Sequence, residues 1–126
     1  MPVRVTLQRF EEIALAAIQG LPAEFRRHAE GCAISIERRP SPEVLEKLGI
    51  PEGEQLFGYY EGVALVDRHL DDLPGPPPRI ILYYRPLMAE CGSEQELERE
   101  IRVTVLHEIG HHLGIDEQRL DELGYG

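Results

Sequence analysis

The amino-acid sequence predicts an α+β domain, because helical and strand-like segments share one short chain. Residues 6–19 place apolar side chains at helical spacing, and residues 93–113 do so again over a longer stretch. Apolar segments rich in β-branched or aromatic residues predict strands at 32–38, 56–66 and 80–84. A length of 126 residues suffices for one modest hydrophobic core, so we expect a single domain over residues 1–126.

Short helices are predicted before and after the first strand. The first helix begins after Thr6, a suitable N-cap, and stops at the glycine and proline of residues 20–22. Residues 22–30 predict a short second helix. Residues 41–48 predict another, with Pro42 at its first helical position, where the missing N–H costs nothing.

The middle of the chain is predicted to contain a hairpin turn followed by a loop. Glu61 and Gly62 lie in the middle of the 56–66 segment and indicate a hairpin turn between two strands. Residues 67–78 form a loop that ends in a stiff, proline-rich run. Residues 86–91 then lead into the long helix.

The long helix has clear signals at both ends. Ser93 is the expected N-cap, and Glu96 three residues later completes a capping box. Gly114 follows where the helix should end, since glycine adopts the left-handed conformation that terminates helices. The apolar stripe consists of Leu97, Ile101, Val105, Ile109 and Leu113.

The last two turns of this helix contain the pattern H-E-x-x-H at residues 107–111. Side chains four apart lie on the same helix face, so His107 and His111 can both bind one metal ion. Glu108 lies one step round the helix. It is therefore predicted to act as the general base on a metal-bound water and not as a ligand.

The third metal ligand is predicted to follow the Gly114 turn. Glu117 lies three residues beyond this glycine, the offset of metzincin-type sites, and is ranked first. Asp116 is adjacent and ranks second, and Asp121 ranks third. Asp121 or its neighbour Glu122 would serve if a short helix after the turn carried the ligand.

Several stretches around this motif resemble the small bacterial zincin-like proteins, a family described as zinc metallopeptidases with minimal folds. The resemblance rests on residues 57–62, 79–86, 102–115 and 120–124. It implies a minimal zincin-like fold, in which a small mixed β-sheet packs on the N-terminal helix and on the long H-E-x-x-H helix. It also implies a Zn²⁺ cofactor and a peptide or protein substrate.

Composition limits the partners. The chain has 23 Asp and Glu against 13 Lys and Arg, a formal net charge of −10, which disfavours nucleic acid. No apolar run approaches the ~18 residues of a membrane span, and no signal peptide is evident, so we expect no membrane partner and a cytoplasmic location. Cys32 and Cys91 lack disulfide-framework spacing and are expected to be reduced, although a disulfide between them is the alternative.

The function predicted from these observations is zinc-dependent hydrolysis of a peptide bond. Two alternatives belong to other classes. One is a non-catalytic metal-binding or interaction module that retains the motif. The other is a metal-dependent hydrolase of a non-peptide substrate such as an RNA phosphodiester, which the acidic composition disfavours.

Overall fold

The computed structural model describes residues 2–62, 78–115 and 117–122, with residue 117 described for its backbone only. Six helices and three strands lie in these residues. None of these helices combines the length and the apolar character that crossing a membrane requires. In chain order the elements are α1 (Leu7–Gln19), α2 (Ala23–Glu30), β1 (Ala33–Glu37), α3 (Pro42–Lys47), β2 (Gly58–Glu61), β3 (Arg79–Tyr83), α4 (Tyr84–Glu90), α5 (Glu94–His112) and α6 (Glu117–Glu122).

The N-terminal caps agree with the sequence signals. The Thr6 hydroxyl accepts a hydrogen bond of 3.1 Å from the Arg9 N–H at the start of α1. The Ser41 hydroxyl accepts one of 3.2 Å from the Val44 N–H at the start of α3. Each bond satisfies a first-turn donor that the helix itself leaves without an acceptor.

The strands form one mixed sheet in the order β1-β3-β2, which confirms the small mixed sheet that the resemblance implied. β1 runs parallel to β3, with Ile34 opposite Ile80. β2 runs antiparallel to β3, with Tyr60 opposite the same Ile80. β3 is the central strand, and its residues 80–83 are buried on both faces, which explains their continuous apolar run.

Helices cover one face of the sheet. Ile80 and Leu82 of β3 pack into a core with Phe10 of α1 and Leu97 and Ile101 of α5, and each of these side chains is almost fully buried. The opposite face holds a smaller cluster of Tyr59, Ile81 and Tyr83, against which Val44 and Leu56 pack. The observed architecture is an α+β fold with one small mixed sheet, as predicted.

One sequence expectation is wrong, and another falls mostly outside the residues that the structure describes. The pattern predicts that Tyr84 ends the strand, but Tyr84 begins α4, a helix that the sequence signals do not indicate. Pro86 is tolerated there because it stands in the first turn, where the backbone N–H has no helical acceptor. The expected second strand of the 56–66 hairpin falls largely on residues 63–66, which are outside the described part of the chain, and the described partner of β2 is β3.

Both cysteines are free thiols, as the sequence analysis expects. Cys91 is buried in the main core beside α5. Burial is the main reason that the pKa of the Cys91 thiol rises to about 11, with nearby glutamates adding to the shift. A thiol with so high a pKa is largely protonated at neutral pH and therefore unreactive.

Candidate metal and catalytic centre

The motif lies near the C-terminal end of α5, whose N-terminus is firmly capped. The Ser93 hydroxyl accepts a hydrogen bond of 3.1 Å from the Glu96 N–H. The Glu96 carboxylate in turn accepts one of 2.6 Å from the Gly92 N–H, one residue before the cap. Four of the five predicted stripe residues are fully buried, and Leu113 is partly buried. The sequence pattern therefore predicted the orientation of α5 correctly.

The C-terminus of α5 is closed by a Schellman motif. Gly114 adopts a φ of +80°, and no neighbouring atom would obstruct a Cβ there, so its backbone conformation is the reason for glycine. Its N–H donates to the His111 carbonyl over 3.1 Å, and the Ile115 N–H donates to the Gly110 carbonyl over 2.7 Å. The chain thus reverses directly after the second motif histidine, as predicted from Gly114.

His107 and His111 lie one above the other on the same face of α5. Their ring centres are 6.1 Å apart, and the ring planes are inclined by 75°. His107 is half-buried, whereas His111 is exposed. The two rings are close enough to bind one metal ion once small side-chain rotations bring a nitrogen of each to ~2.1 Å from it, in tetrahedral geometry.

Glu108 lies beside this pair and is half-buried. One of its carboxylate oxygens accepts a hydrogen bond of 3.2 Å from the backbone N–H of Tyr60 in β2. Burial raises the pKa of the Glu108 carboxyl, while the Tyr60 N–H and the two motif histidines partly offset this rise. A carboxylate with a raised pKa accepts protons more readily near neutral pH, which suits a general base.

The Tyr60 ring stacks on His112, which also belongs to α5. Their ring centres are 4.0 Å apart with the planes inclined by 30°, and the ring of His28 from α2 lies 6.1 Å from Tyr60 and 6.0 Å from His112. His112 is partly buried. These rings connect α2, β2 and α5 on the core side of the motif.

β2 lies close enough to α5 for the Tyr60 N–H to reach Glu108. Gly58 is buried in β2, and a Cβ there would lie 2.6 Å from the Ile81 carbonyl oxygen and 3.2 Å from the Thr104 methyl carbon. Thr104 is one turn before Glu108 on α5. The absence of a side chain at Gly58 therefore allows β2 to lie against the motif helix.

The third ligand is only partly within the described residues. α6 begins at Glu117 and packs back on α5, where Leu120 is fully buried and lies against Gly110 of the motif. Asp116 and the Glu117 side chain lie outside the described part, while Asp121 is exposed on α6. Within the described residues no group of three or more His, Cys, Asp and Glu side chains is arranged to hold a metal.

Three other tyrosines of the sheet and of α4 pack or form local hydrogen bonds away from the motif. The Tyr59 hydroxyl donates a hydrogen bond of 2.7 Å to the Glu61 carboxylate. Tyr83 is buried on the other face of the sheet, and Tyr84 packs edge-on against Phe10 at 6.1 Å. Packing and a local hydrogen bond are thus the roles of these three tyrosines.

Sequence reasoning missed the backbone N–H of Tyr60. It contributes through its main chain, so no side-chain pattern marks it. The available signal was Gly58, two residues earlier in an apolar strand, because a strand glycine often marks close approach of another backbone element.

The fold and the motif agree with the comparisons with known proteins. The family described as zincin-like metallopeptidase matches residues 29–126. This match covers most of the chain, and the chain belongs to the zincin-like metallopeptidase family. Membership places the protein in a group associated with hydrolysis and with zinc.

A solved structure has a similar fold. It is a conserved hypothetical protein from Thermo thermophilus, with 25% sequence identity and a TM-score of 0.55. The likeness covers 86% of this chain and 94% of that one. No curated protein matches the chain significantly.

Proposed function

We propose that the protein is a zinc-dependent peptidase in which His107 and His111 hold the metal and Glu108 is the general base. The observation that carries this proposal is the placement of Glu108. It shares the end of α5 with two histidines of suitable spacing, and it is half-buried with one oxygen held by the Tyr60 N–H. Glu117 is proposed as the third ligand, with Asp116 and Asp121 as the alternatives.

The chemistry divides between the metal and the chain. Zinc, when bound, polarises the scissile carbonyl and lowers the pKa of a bound water. With the metal in place, Glu108 would take a proton from the attacking water and later deliver it to the leaving amine. Because the Tyr60 N–H fixes one oxygen of Glu108, the other oxygen is left for the proton transfer. The carboxylate is already oriented before the reaction, so orienting it costs little further entropy.

An extended peptide is the substrate class that best fits the surroundings. β2 passes beside Glu108, and β3 is its partner among the described strands. A peptide that added itself to β2 would gain main-chain hydrogen bonds independent of its sequence, with its backbone beside the catalytic carboxylate. The acidic chain would favour neutral or basic peptides, although salt weakens this effect.

The test compares the zinc-loaded wild type with Glu108→Gln on a mixed peptide library, with cleavage products identified by mass spectrometry. Glutamine keeps the size and the acceptor oxygen but cannot act as a base. We expect equal zinc content and a loss of cleavage of ~10²–10⁴-fold. Equal cleavage by both proteins would refute the role of Glu108. Zinc binding without cleavage by either would favour the non-catalytic metal-binding module.

A further inference from the structure

A second candidate site lies at the opposite end of the sheet from the motif. It is a cavity of about 360 Å³, lined in part by Arg4, Arg39 and Arg85. Arg85 belongs to α4, which begins directly after the carboxyl end of β3, whereas Tyr60 and Glu108 lie beside Ile80 near its amino end. The cavity is therefore separate from the candidate metal centre.

The charge of this cavity is opposite to that of the protein. The chain carries a net charge of −10, yet none of the described residues that line the cavity is acidic. Among the described residues, none of its three arginines forms an ion pair with a carboxylate. Three cationic side chains around one concave surface attract anions.

The segments that carry the arginines are fixed to one another by the backbone. The Val3 N–H donates to the Cys91 carbonyl over 2.7 Å, which attaches the N-terminal segment to the end of α4. The Arg85 N–H donates to the Arg38 carbonyl over 3.1 Å, which attaches the start of α4 to the end of β1. A ligand at this cavity would therefore lose little affinity to ordering of the main chain around it.

The lining defines the chemistry of the ligand. Guanidinium groups match the geometry of carboxylate and phosphate oxygens and bind them through paired N–H donors. The Gln55 amide adds a neutral donor, and Met88 and Pro86 supply an apolar wall. The volume lies at the small end of the range for ligand sites, roughly 300–1,000 Å³.

We propose that the cavity lined by Arg4, Arg39 and Arg85 binds a small molecule that carries at least two negative charges on phosphate or carboxylate groups. The proposal is independent of the peptidase function, because it uses no residue of the motif. The proposed ligand is anionic, whereas the acidic surface favours neutral or basic peptides as substrates.

The experiment titrates the full-length protein with inorganic phosphate and, separately, with succinate at constant ionic strength set by sodium chloride. Binding is measured by isothermal titration calorimetry and by the midpoint of thermal unfolding. The test variant is Arg39→Gln/Arg85→Gln. The matched control is Arg27→Gln/Arg99→Gln, which removes the same charge from exposed positions outside the cavity. Arg4→Gln gives a second, single-site test variant.

The wild type and the control are expected to bind at least one of the two anions saturably and to unfold a few degrees higher in its presence. The Arg39→Gln/Arg85→Gln variant is expected to lose affinity by tenfold or more, and Arg4→Gln to lose part of it. Whether phosphate or succinate binds more tightly identifies the anionic group.

Either anion can also ligate a zinc ion at the motif, and such binding would be the same in both double variants. The difference in anion affinity between the test and control double variants therefore decides whether the cavity is the site. Equal affinities in the wild type, the test variants and the control would overturn the proposal. The same conclusion would follow if neither anion stabilised the wild type more than chloride does.

Discussion

The backbone N–H of Tyr60 lies 3.2 Å from a carboxylate oxygen of Glu108, across the interface between β2 and α5. This hydrogen bond joins the sheet to the candidate catalytic residue. It favours the ionised carboxylate, whereas burial raises its pKa, and the position of β2 therefore influences the protonation of Glu108. The arrangement makes the sheet part of the site as well as its support.

Replacing Gly58 by alanine is expected to disturb this contact. The added Cβ would lie 2.6 Å from the Ile81 carbonyl oxygen, so β2 would have to move relative to β3 and to α5. We expect a loss of roughly 1–3 kcal/mol in the free energy of unfolding, measured by urea denaturation. Because Tyr60 is two residues away, the proposed peptidase activity should fall as well.

Gly31→Ala provides the matched control for that experiment. Gly31 caps α2 with a φ of −81°, which alanine adopts easily, and its nearest obstacle is the His28 carbonyl oxygen at 3.4 Å. A change within about ±0.5 kcal/mol is expected. If Gly58→Ala proved as mild as Gly31→Ala, the close approach of β2 would not be needed.

The hydrogen bond from Tyr59 to Glu61 makes a contribution to stability that depends on pH. It is the main reason that the pKa of Tyr59 rises from 10.0 to about 12, with burial adding to the rise, and the main reason that the pKa of Glu61 falls below its ordinary value of 4.5. The contribution of this bond to stability is therefore complete between pH 4.5 and pH 10.0, the ordinary pKa values of Glu61 and Tyr59. It is lost as the pH rises from 10 toward 12, and also as the pH falls below 4.5 through the lowered pKa of Glu61.

The measurement is the difference in unfolding free energy between the wild type and Tyr59→Phe, followed from acid to alkaline pH. We expect a plateau of about 1 kcal/mol or less near neutrality, since Glu61 is half-exposed, with a decline on both sides. A difference that stayed constant over the whole range would show that the hydroxyl does not sense either ionisation.

Replacement of the carboxylates after Gly114 tests the third ligand. Glu117→Ala is expected to weaken zinc binding by at least tenfold in a chelator competition, and Asp121→Ala to leave it unchanged. Asp121 is exposed on α6 and is the third-ranked alternative, so its variant tests the other reading of the turn. Loss of affinity in Asp116→Ala or Asp121→Ala, with Glu117→Ala unaffected, would overturn the metzincin-like assignment.

The sequence predicted the parts of the fold that local chemistry determines. Ser93 with Glu96 marked the start of α5, Gly114 marked its end, and the buried stripe between them has the predicted period. The apolar run of β3 indicated a buried strand, and the structure places it in the centre of the sheet. Such features depend on residues close together in the chain.

The parts that the sequence did not predict depend on tertiary contacts. α4 was missed because Pro86 and the preceding strand-like tyrosines favoured an extended chain, whereas packing of the fully buried Leu87 supports the helix. The Tyr60–Glu108 bond and the Tyr60–His112 stack join segments about fifty residues apart. Their existence follows from the pairing of β2 with β3, which no local pattern specifies.

The central claim is that His107 and His111 bind one zinc ion, and zinc stoichiometry tests it most directly. The wild type and His107→Ala/His111→Ala are each purified, dialysed against trace zinc and analysed for bound metal, with circular dichroism to compare their folds. We predict one zinc ion per wild-type chain and none in the folded double variant. A double variant that retained stoichiometric zinc with wild-type affinity would place the metal elsewhere and contradict the assignment.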